Sequence, residues 1–222
     1  MYQPAHFVEN RPELLQRLIR EHPFGLLVTD SASGLAANGM PFVFDADPAG
    51  GTGVLRAHVA RANPVWKEAR VDRESLVVFQ GPQGYVSPAW YPSKAEHGKV
   101  VPTWNYIVVQ GRGPVRFVED RDWLRAFVGR LTDAHEAGRI EAEGGGGAPA
   151  WAVTDAPDDY VETMLKAIVG VEIRLTSLVG KWKMSQNRSR ADRDGVAEGL
   201  AQSPGEVAAA LAQAVRDAGN PA

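Results

Sequence analysis

The stretch VLRAHVARANPVWKEA, residues 54–69, concentrates residue types that could bind an anion. If its first seven residues form a strand, alternation places Arg56 and His58 on one face and three apolar residues on the other. Arg61 follows at once, and Asn63 with the next proline is typical of a helix start. Free backbone N–H groups and the positive end of that helix would face the same region. The pattern predicts an anion site, but a capped surface helix with solvated cations explains it equally well.

The second candidate stretch is GKWKMSQNRSRADRDG, residues 180–195, which places five cations beside side-chain amides. Amides next to cations favour contacts of Lys183, Gln186, Asn187 and Arg188 to a ligand cleft, because DNA phosphates would need only cations. The alternative is a solvated basic loop in which Ser189 caps the following helix and two aspartates partly neutralise the charge. Contacts to DNA phosphates have the least support.

Composition and missing motifs exclude several classes of protein. The chain has no cysteine, and it lacks the standard hydrolase, metalloprotease and dinucleotide-binding motifs, so no catalytic residue and no metal site is assigned. A net charge of −3 gives no global attraction for nucleic acid. Neither a signal peptide nor a long apolar segment occurs, so we expect a cytoplasmic protein that does not enter the membrane.

The elements that must position these residues are strands in the middle of the chain and helices at its edges. Period-two patterns predict six strands with few intervening helices, which favours a closed or nearly closed antiparallel barrel. The last two helices are discounted as a DNA-reading pair, because Arg216 is the only cation of the second one. The predicted strands lie within 24–30, 35–60 (two strands), 75–81, 103–120 and 168–182, and the predicted helices within 9–25, 120–137, 189–202 and 203–217.

Several motifs, taken in order, resemble the PaiB family of FMN-binding negative transcriptional regulators: HVARANPVW, YVSPAWYPSK, VPTWNYIVVQGRG and GKWKMSQNRSRADRDGVAEGL. The resemblance covers nearly the whole chain. It implies a mainly β protein with flanking helices, namely an FMN-binding split β-barrel of the pyridoxamine-phosphate-oxidase type with C-terminal helices. We therefore expect a single domain over 1–222, with a barrel core at about 23–180, a flexible Gly-rich loop at 141–149 and a helical tail at about 181–222.

The resemblance also implies flavin held in the cleft of a homodimer, and the sequence offers contacts for each part of FMN. The phosphate needs fixed donors, and the flavin ring needs an apolar or aromatic wall with a few polar groups. For the aromatic residues, packing in the core or in a dimer interface is an equally good interpretation. The expected cofactor-binding residues are His58, Arg61, Asn63, Ser87, Trp90, Thr103, Asn105, Lys183, Gln186 and Arg188.

Two functions remain open at this stage. The family resemblance implies a non-enzymatic, FMN-binding negative regulator of transcription, for which DNA binding is possible although no recognisable DNA-binding motif occurs. A flavin cleft suits hydride transfer equally well, so the alternative is an FMN-dependent oxidoreductase that uses a nicotinamide or another reductant.

Overall fold

The structure is a computed structural model that describes residues 1–219. Within these residues the strands are β1 (Val8–Glu9), β2 (Phe24–Ser31), β3 (Gly34–Pro41), β4 (Val43–Asp45), β5 (Val54–Ala60), β6 (Glu74–Val86), β7 (Thr103–Val118), β8 (Ile168–Arg174) and β9 (Ser177–Lys183). The helices are α1 (Pro12–Glu21), α2 (Val65–Glu68), α3 (Ser93–His97), α4 (Arg121–Ala142), α5 (Asp158–Lys166), α6 (Arg190–Ala201) and α7 (Glu206–Gly219).

The strands form one nine-stranded sheet with the hydrogen-bonded order β3-β2-β6-β7-β8-β5-β4, while β9 pairs with β1 and β7. The predicted mainly β architecture with flanking helices is confirmed, but the expected number of six strands is wrong. Strands β1 and β4 are too short to show a clear alternation. The strand expected over 168–182 is divided into β8 and β9, because the Thr176 N–H turns to donate to the carbonyl of Arg112 at 2.8 Å.

The chain divides into two compact units. The first unit consists of Met1–His22, Val78–Gln110 and the part of the chain from Leu178 onward, and the second consists of Pro23–Val77 and Gly111–Ser177. Strands β6 and β7 belong to both units. The predicted division into core and tail stays a prediction, although β9 extends to Lys183 and the tail expected from 181 onward therefore begins inside a strand.

In the second unit, helix α4 covers one face of β5 and β8. His58 of β5 lies opposite Gly170 of β8, and the indole of Trp123 lies directly over that glycine, where any larger residue would clash. Trp123 also stacks on Phe127 with a ring distance of 5.3 Å. Asp120 caps α4, since its carboxylate accepts the backbone N–H of Trp123 at 2.8 Å.

The β2–β3 hairpin of the second unit has one buried face and one exposed apolar face. Leu27 is fully buried, whereas Phe24 and Leu35 on the opposite face are 70% and 80% exposed. Leu26, 43% exposed, lies between them on the same face. We name this surface the hairpin face and define it by Phe24, Leu26 and Leu35. Exposed apolar side chains grouped on one face of a sheet often mark an interaction site.

In the first unit, two helices pack closely on strand β6 at glycines, because a glycine has no side chain to block the contact. Leu18 of α1 lies over Gly81, and Leu211 of α7 lies over Gly84 of the same strand. Helix α7 therefore packs on β6, while Gly199 of α6 lies against the indole of Trp90. No helix within residues 1–219 is both long enough and apolar enough to cross a membrane.

Candidate functional site

A pocket of about 550 Å³ opens in the second unit between β2, β3 and the segment 62–69. We name it the hairpin pocket. Its size is within the range of small-ligand sites. The lining residues are Thr29, Ser31, Ala36, Ala37, Asn38, Ala62, Asn63, Pro64, Val65, Glu68 and Ala69.

Thr29 gives the hairpin pocket an unsatisfied polar group. Its side chain is 1% exposed, and its hydroxyl has no hydrogen-bond partner among the described residues. The neighbouring Ser31 hydroxyl, in contrast, donates to the carbonyl of Gly34 at 2.8 Å. A buried hydroxyl without a partner costs about 1–3 kcal/mol, so a polar ligand group that bonded Thr29 would recover that free energy.

Asn63 is the sequence-predicted residue that the structure places in the hairpin pocket. Its Oδ1 accepts the backbone N–H of Val65, the first residue of α2, at 3.0 Å, but the N-cap position of that helix belongs to Pro64 and not to Asn63 as predicted. Its Nδ2 donates to Oδ1 of Asn38 at 2.8 Å. Helix α2 has only four residues, and Glu68 is the only charged residue that lines the pocket. The pocket therefore offers neutral hydrogen bonds rather than positive charge.

Arg61 lies outside the lining of the hairpin pocket, and its guanidinium is already bonded. It donates to the Glu119 carboxylate, to the carbonyl of Lys166 at 2.8 Å and to the carbonyl of Ile168 at 3.2 Å. A flavin phosphate bound by Arg61 would have to replace the Glu119 carboxylate, which is itself 57% exposed. Its role in phosphate binding stays a prediction.

His58 lies on the face of β5 that was predicted from alternation, where its imidazole meets the ring of Phe127 edge-on at 6.0 Å. Its Nδ1 is buried with no hydrogen-bond partner among the described residues. Burial lowers the pKa of His58, so the imidazole is neutral at pH 7. A neutral imidazole attracts a phosphate only weakly, which favours packing over the predicted phosphate contact.

Lysines and aromatic rings come together in the first unit. The Lys183 ammonium donates to the hydroxyl of Thr103 and to the carbonyl of Trp104, and it lies 5.9 Å from the ring centre of Tyr106. The Lys181 ammonium lies 5.3 Å from the same ring. Burial, and then the charges of Lys181 and Arg188, lower the pKa of Lys183. The structure thus joins two sequence-predicted residues, Thr103 and Lys183.

Asn105 and the turn after β9 form a second network in the first unit. Asn105 is fully buried, and its Nδ2 donates to the Ser185 hydroxyl at 3.1 Å. Ser185 has a φ of 64°, the only positive φ of a non-glycine residue in 1–219, and such backbone strain concentrates at functional sites. Gln186 donates to the carbonyl of Trp182 at 2.6 Å and accepts the N–H of Met184 at 2.7 Å. Both bonds of Gln186 hold the turn.

The remaining predicted residues of the first unit have local packing roles. The Ser87 hydroxyl accepts the N–H of Ala89 at 3.1 Å, and the indole of Trp90 covers Gly199 of α6. Arg188 lies over the ring of Tyr91, 5.0 Å from its centre. As flavin contacts these three residues stay predictions.

Sequence reasoning missed the polar lining of the hairpin pocket. In FGLLVTDS, Thr29 and Ser31 continue the alternating series that begins with buried Leu27, so two hydroxyls occupy core-facing positions. Polar residues at core-facing positions of a strand were the sequence signal from which the pocket could have been predicted. The sequence around Asn38 contains no such signal. No cluster of metal-binding side chains occurs within residues 1–219.

We predict that Thr29→Val raises the free energy of unfolding of the ligand-free protein by about 1 kcal/mol, because it removes an unsatisfied buried hydroxyl while keeping the shape. Urea unfolding followed by circular dichroism measures the change. Thr176→Val is the control with a bonded hydroxyl, since the exposed Thr176 hydroxyl lies 2.5 Å from a Glu74 carboxylate oxygen and 3.1 Å from Arg112 O, and its loss should destabilise the protein. Destabilisation by Thr29→Val of the same size as in the control would show that Thr29 has a partner.

Comparison with known proteins gives the family. Residues 1–177 match the family described as "Putative FMN-binding domain". An uncharacterised protein of Aspergillus fumigatus is 36% identical over 99% of this chain and 98% of its own length. The protease synthase and sporulation protein PAI 2 of Bacillus subtilis is 28% identical over 98% of this chain and 97% of its own length.

A solved structure supports the fold. The flavocytochrome Anf3 of Azotobacter vinelandii aligns with 79% of this chain and 69% of its own, at a TM-score of 0.55 and 12% identity. The expected fold, a split barrel like that of flavin-binding and pyridoxamine-phosphate-oxidase proteins, is confirmed. This chain belongs to the FMN-binding domain family that its PaiB-like motifs indicated, and its cofactor is FMN or a related flavin.

Proposed function

We propose that this protein is an FMN-binding negative regulator of transcription of the PaiB type, which holds its flavin in the cleft of a homodimer. The observation that carries the proposal is the full-length similarity to the Bacillus subtilis protein, whose name refers to protease synthesis and sporulation. The expected compartment is the cytoplasm. Because control of gene expression requires a response to some signal, the flavin is the natural sensing element.

The hairpin pocket suits the ribityl chain of FMN. The hydroxyls of that chain need hydrogen-bond donors and acceptors at close range, and the pocket supplies the Thr29 hydroxyl and the amides of Asn38 and Asn63. Bound there, the cofactor supplies a group that gains and releases electrons. The residues of this chain bind and orient the cofactor, and the small side chains of Ala36 and Ala62 leave space for it in the pocket.

Helix α7 is poorly suited to be a DNA recognition helix. It contains one cation, Arg216, it buries Leu211 and Val215 in the first unit, and its one side-chain amide, Gln213, donates to Asp217 at 2.8 Å. We infer that regulation acts through another surface or through a partner protein. The seven predicted flavin contacts of the first unit remain part of the proposal.

A second candidate function is an FMN-dependent oxidoreductase. The observation that favours it is Lys183, a half-buried ammonium whose pKa is lowered and which is fixed by Thr103. Such a group can give up or take up the proton that accompanies hydride transfer to or from a flavin.

The deciding experiment uses the purified protein. We expect a yellow protein that releases FMN on denaturation. Anaerobic mixing with NADH or NADPH should leave the flavin colour unchanged on a catalytic timescale, while promoter DNA should bind in a salt-dependent manner, alone or with a cellular partner. Rapid bleaching without any DNA association would support the oxidoreductase instead.

We predict that the protein is a dimer in solution and that the hairpin face contributes to the interface. Leu35→Lys should weaken the dimer at least tenfold, because it places a charge in a desolvated apolar contact. Light scattering after size exclusion measures the mass against the 24.0 kDa of one chain. Val207→Lys is the control, since Val207 is an exposed apolar residue of α7 in the first unit, 59% exposed, and receives the same substitution. If the two variants dimerised equally well, the hairpin face would be excluded from the dimer interface.

We predict that Arg61→Ala weakens FMN binding about 10- to 100-fold and leaves riboflavin binding nearly unchanged, because charge-assisted bonds to phosphate contribute about 1.5–3 kcal/mol each. Titration of both flavins by fluorescence measures the two affinities. Equal losses would mean that Arg61 acts through its bonds to Glu119 and to the carbonyl of Lys166, which support the fold.

A further inference from the structure

A pocket larger than the hairpin pocket lies in the first unit, between helices α1 and α7. It has a volume of about 940 Å³, which is at the upper end of the range for small-ligand sites. Strands β1, β6, β7 and β9 contribute to its floor, and all of its lining residues belong to the first unit. We name it the helix pocket.

The space in the helix pocket follows from the way its two helices rest on β6. Helix α1 packs over Gly81 and helix α7 packs over Gly84, so Pro82 lies between the two contacts on the pocket floor. Helix α7 faces the pocket with three alanines at four-residue spacing, namely Ala210, Ala214 and Ala218. Residues four apart share one face of a helix, and alanine leaves the space that a larger side chain would fill.

The floor of the helix pocket is apolar. Ile107 of β7, 6% exposed, and Trp182 of β9 line it, and α1 adds Leu14 and Leu18. Covering such a floor removes apolar surface from water, and the gain in free energy grows with the area that is covered. A ligand of this pocket therefore has an apolar body.

The rim of the helix pocket carries charged side chains, several of which are already bonded. The Glu9 carboxylate accepts two bonds from the guanidinium of Arg11, at 2.9 and 2.7 Å. The Asp217 carboxylate accepts the side-chain amide of Gln213 at 2.8 Å. Arg216, in contrast, takes part in none of the ion pairs formed among residues 1–219. Its guanidinium is therefore free to bond a ligand.

Arg17, on the opposite wall of the helix pocket, is only weakly paired. Its guanidinium lies 3.8 Å from the Glu21 carboxylate, and both side chains are more than half exposed, so this ion pair contributes little. Arg17 and Arg216 can therefore donate to an anionic group. Because the carboxylates of Glu21 and Asp217 also line the pocket, a second negative charge on the ligand would be repelled. The rim thus favours a ligand with a single negative charge.

The helix pocket and the predicted flavin contacts lie on different faces of the same strands. Successive residues of a strand point to opposite faces, and Ile107 and Trp182 face the pocket. Their neighbours Tyr106 and Lys183 therefore lie on the other face, where the Lys183 ammonium is 5.9 Å from the ring centre of Tyr106. Of the expected cofactor residues, only Gln186 lines the pocket, and both bonds of its amide hold the turn.

We propose that the helix pocket binds a small molecule with an apolar body and a single carboxylate, separately from the flavin. The apolar floor receives the body, and the guanidiniums of Arg17 and Arg216 donate to the carboxylate, for which the planar fork of arginine is well matched. The site does not depend on the proposed regulatory function, because it involves neither DNA nor the flavin.

The first experiment titrates octanoate, octanol and octylamine calorimetrically into the FMN-loaded protein. Octanoate should bind, and the other two, which share its chain but not its charge, should bind at least about threefold more weakly. Arg216→Gln should weaken octanoate binding about three- to tenfold and leave octanol binding unchanged. Arg20→Gln is the matched control, since Arg20 is exposed on α1 of the same unit and lies outside the pocket lining.

Three results of this titration would overturn the proposal. They are the absence of octanoate binding, binding of octanol or octylamine that is as tight as that of octanoate, and equal losses of octanoate affinity in Arg216→Gln and Arg20→Gln.

The second experiment locates the ligand and separates it from the cofactor. Ala214→Trp places an indole in the helix pocket and should weaken octanoate binding at least about tenfold, whereas Ala209→Trp, at an exposed position of α7 outside the lining, should leave it unchanged. Octanoate and FMN should bind together, and mutual exclusion would assign the pocket to the flavin and overturn the proposal. If Ala214→Trp did not fold, the exposed Arg216→Gln variant would still decide the question. FMN release and DNA binding are measured separately, so failure of the proposed function would not affect this result.

Discussion

The structure depends on the unbroken alternation of strand β7. In β7, every second residue from Asn105 to Val115 is buried. Two of these buried residues, 111 and 113, are glycines, so the alternation continues there although no side chain enters the core. Because a strand has only two faces, this period decides which side chains enter the core and which remain available to a ligand. The buried face receives Asn105 and its bonded Ser185, and the open face presents Trp104 and Tyr106.

Long alternating or helical segments could be predicted from the sequence because their signals are local. The faces of β5 and β7, the Asp120 cap of α4 and the Ser189 cap of α6 follow from residue order alone. The strand count could not be predicted in the same way. The break between β8 and β9 depends on a bond from Thr176 to Arg112, residues far apart in the chain, and no local residue pattern announces such a bond.

The candidate site was predicted less well, because the partners of its residues are distant in sequence. Asn63 lies in the hairpin pocket, but Thr29 and Asn38, which meet it there, come from a hairpin 25 or more residues away. Arg61 follows the predicted strand as expected, yet its guanidinium bonds to Glu119, 58 residues further on. Spacing identifies which residues can meet a ligand, and tertiary contacts decide which of them are free to do so.

Counter-charge, more than the number of cations, distinguishes the two cation-rich regions of this protein. In the second unit, Arg56 bonds Glu172 and Asp45, and Arg61 bonds Glu119, so each arginine is neutralised within the fold. In the first unit, the lysines of GKWKMSQNRS have only carbonyls, hydroxyls and rings, although aspartates follow them closely in the sequence. Asp192 is buried, accepts the Ser93 hydroxyl and takes part in none of the ion pairs formed among residues 1–219. Partly buried charge without a counter-charge costs stability, so the arginines of the second unit are stabilised by their ion pairs in a way that these lysines are not.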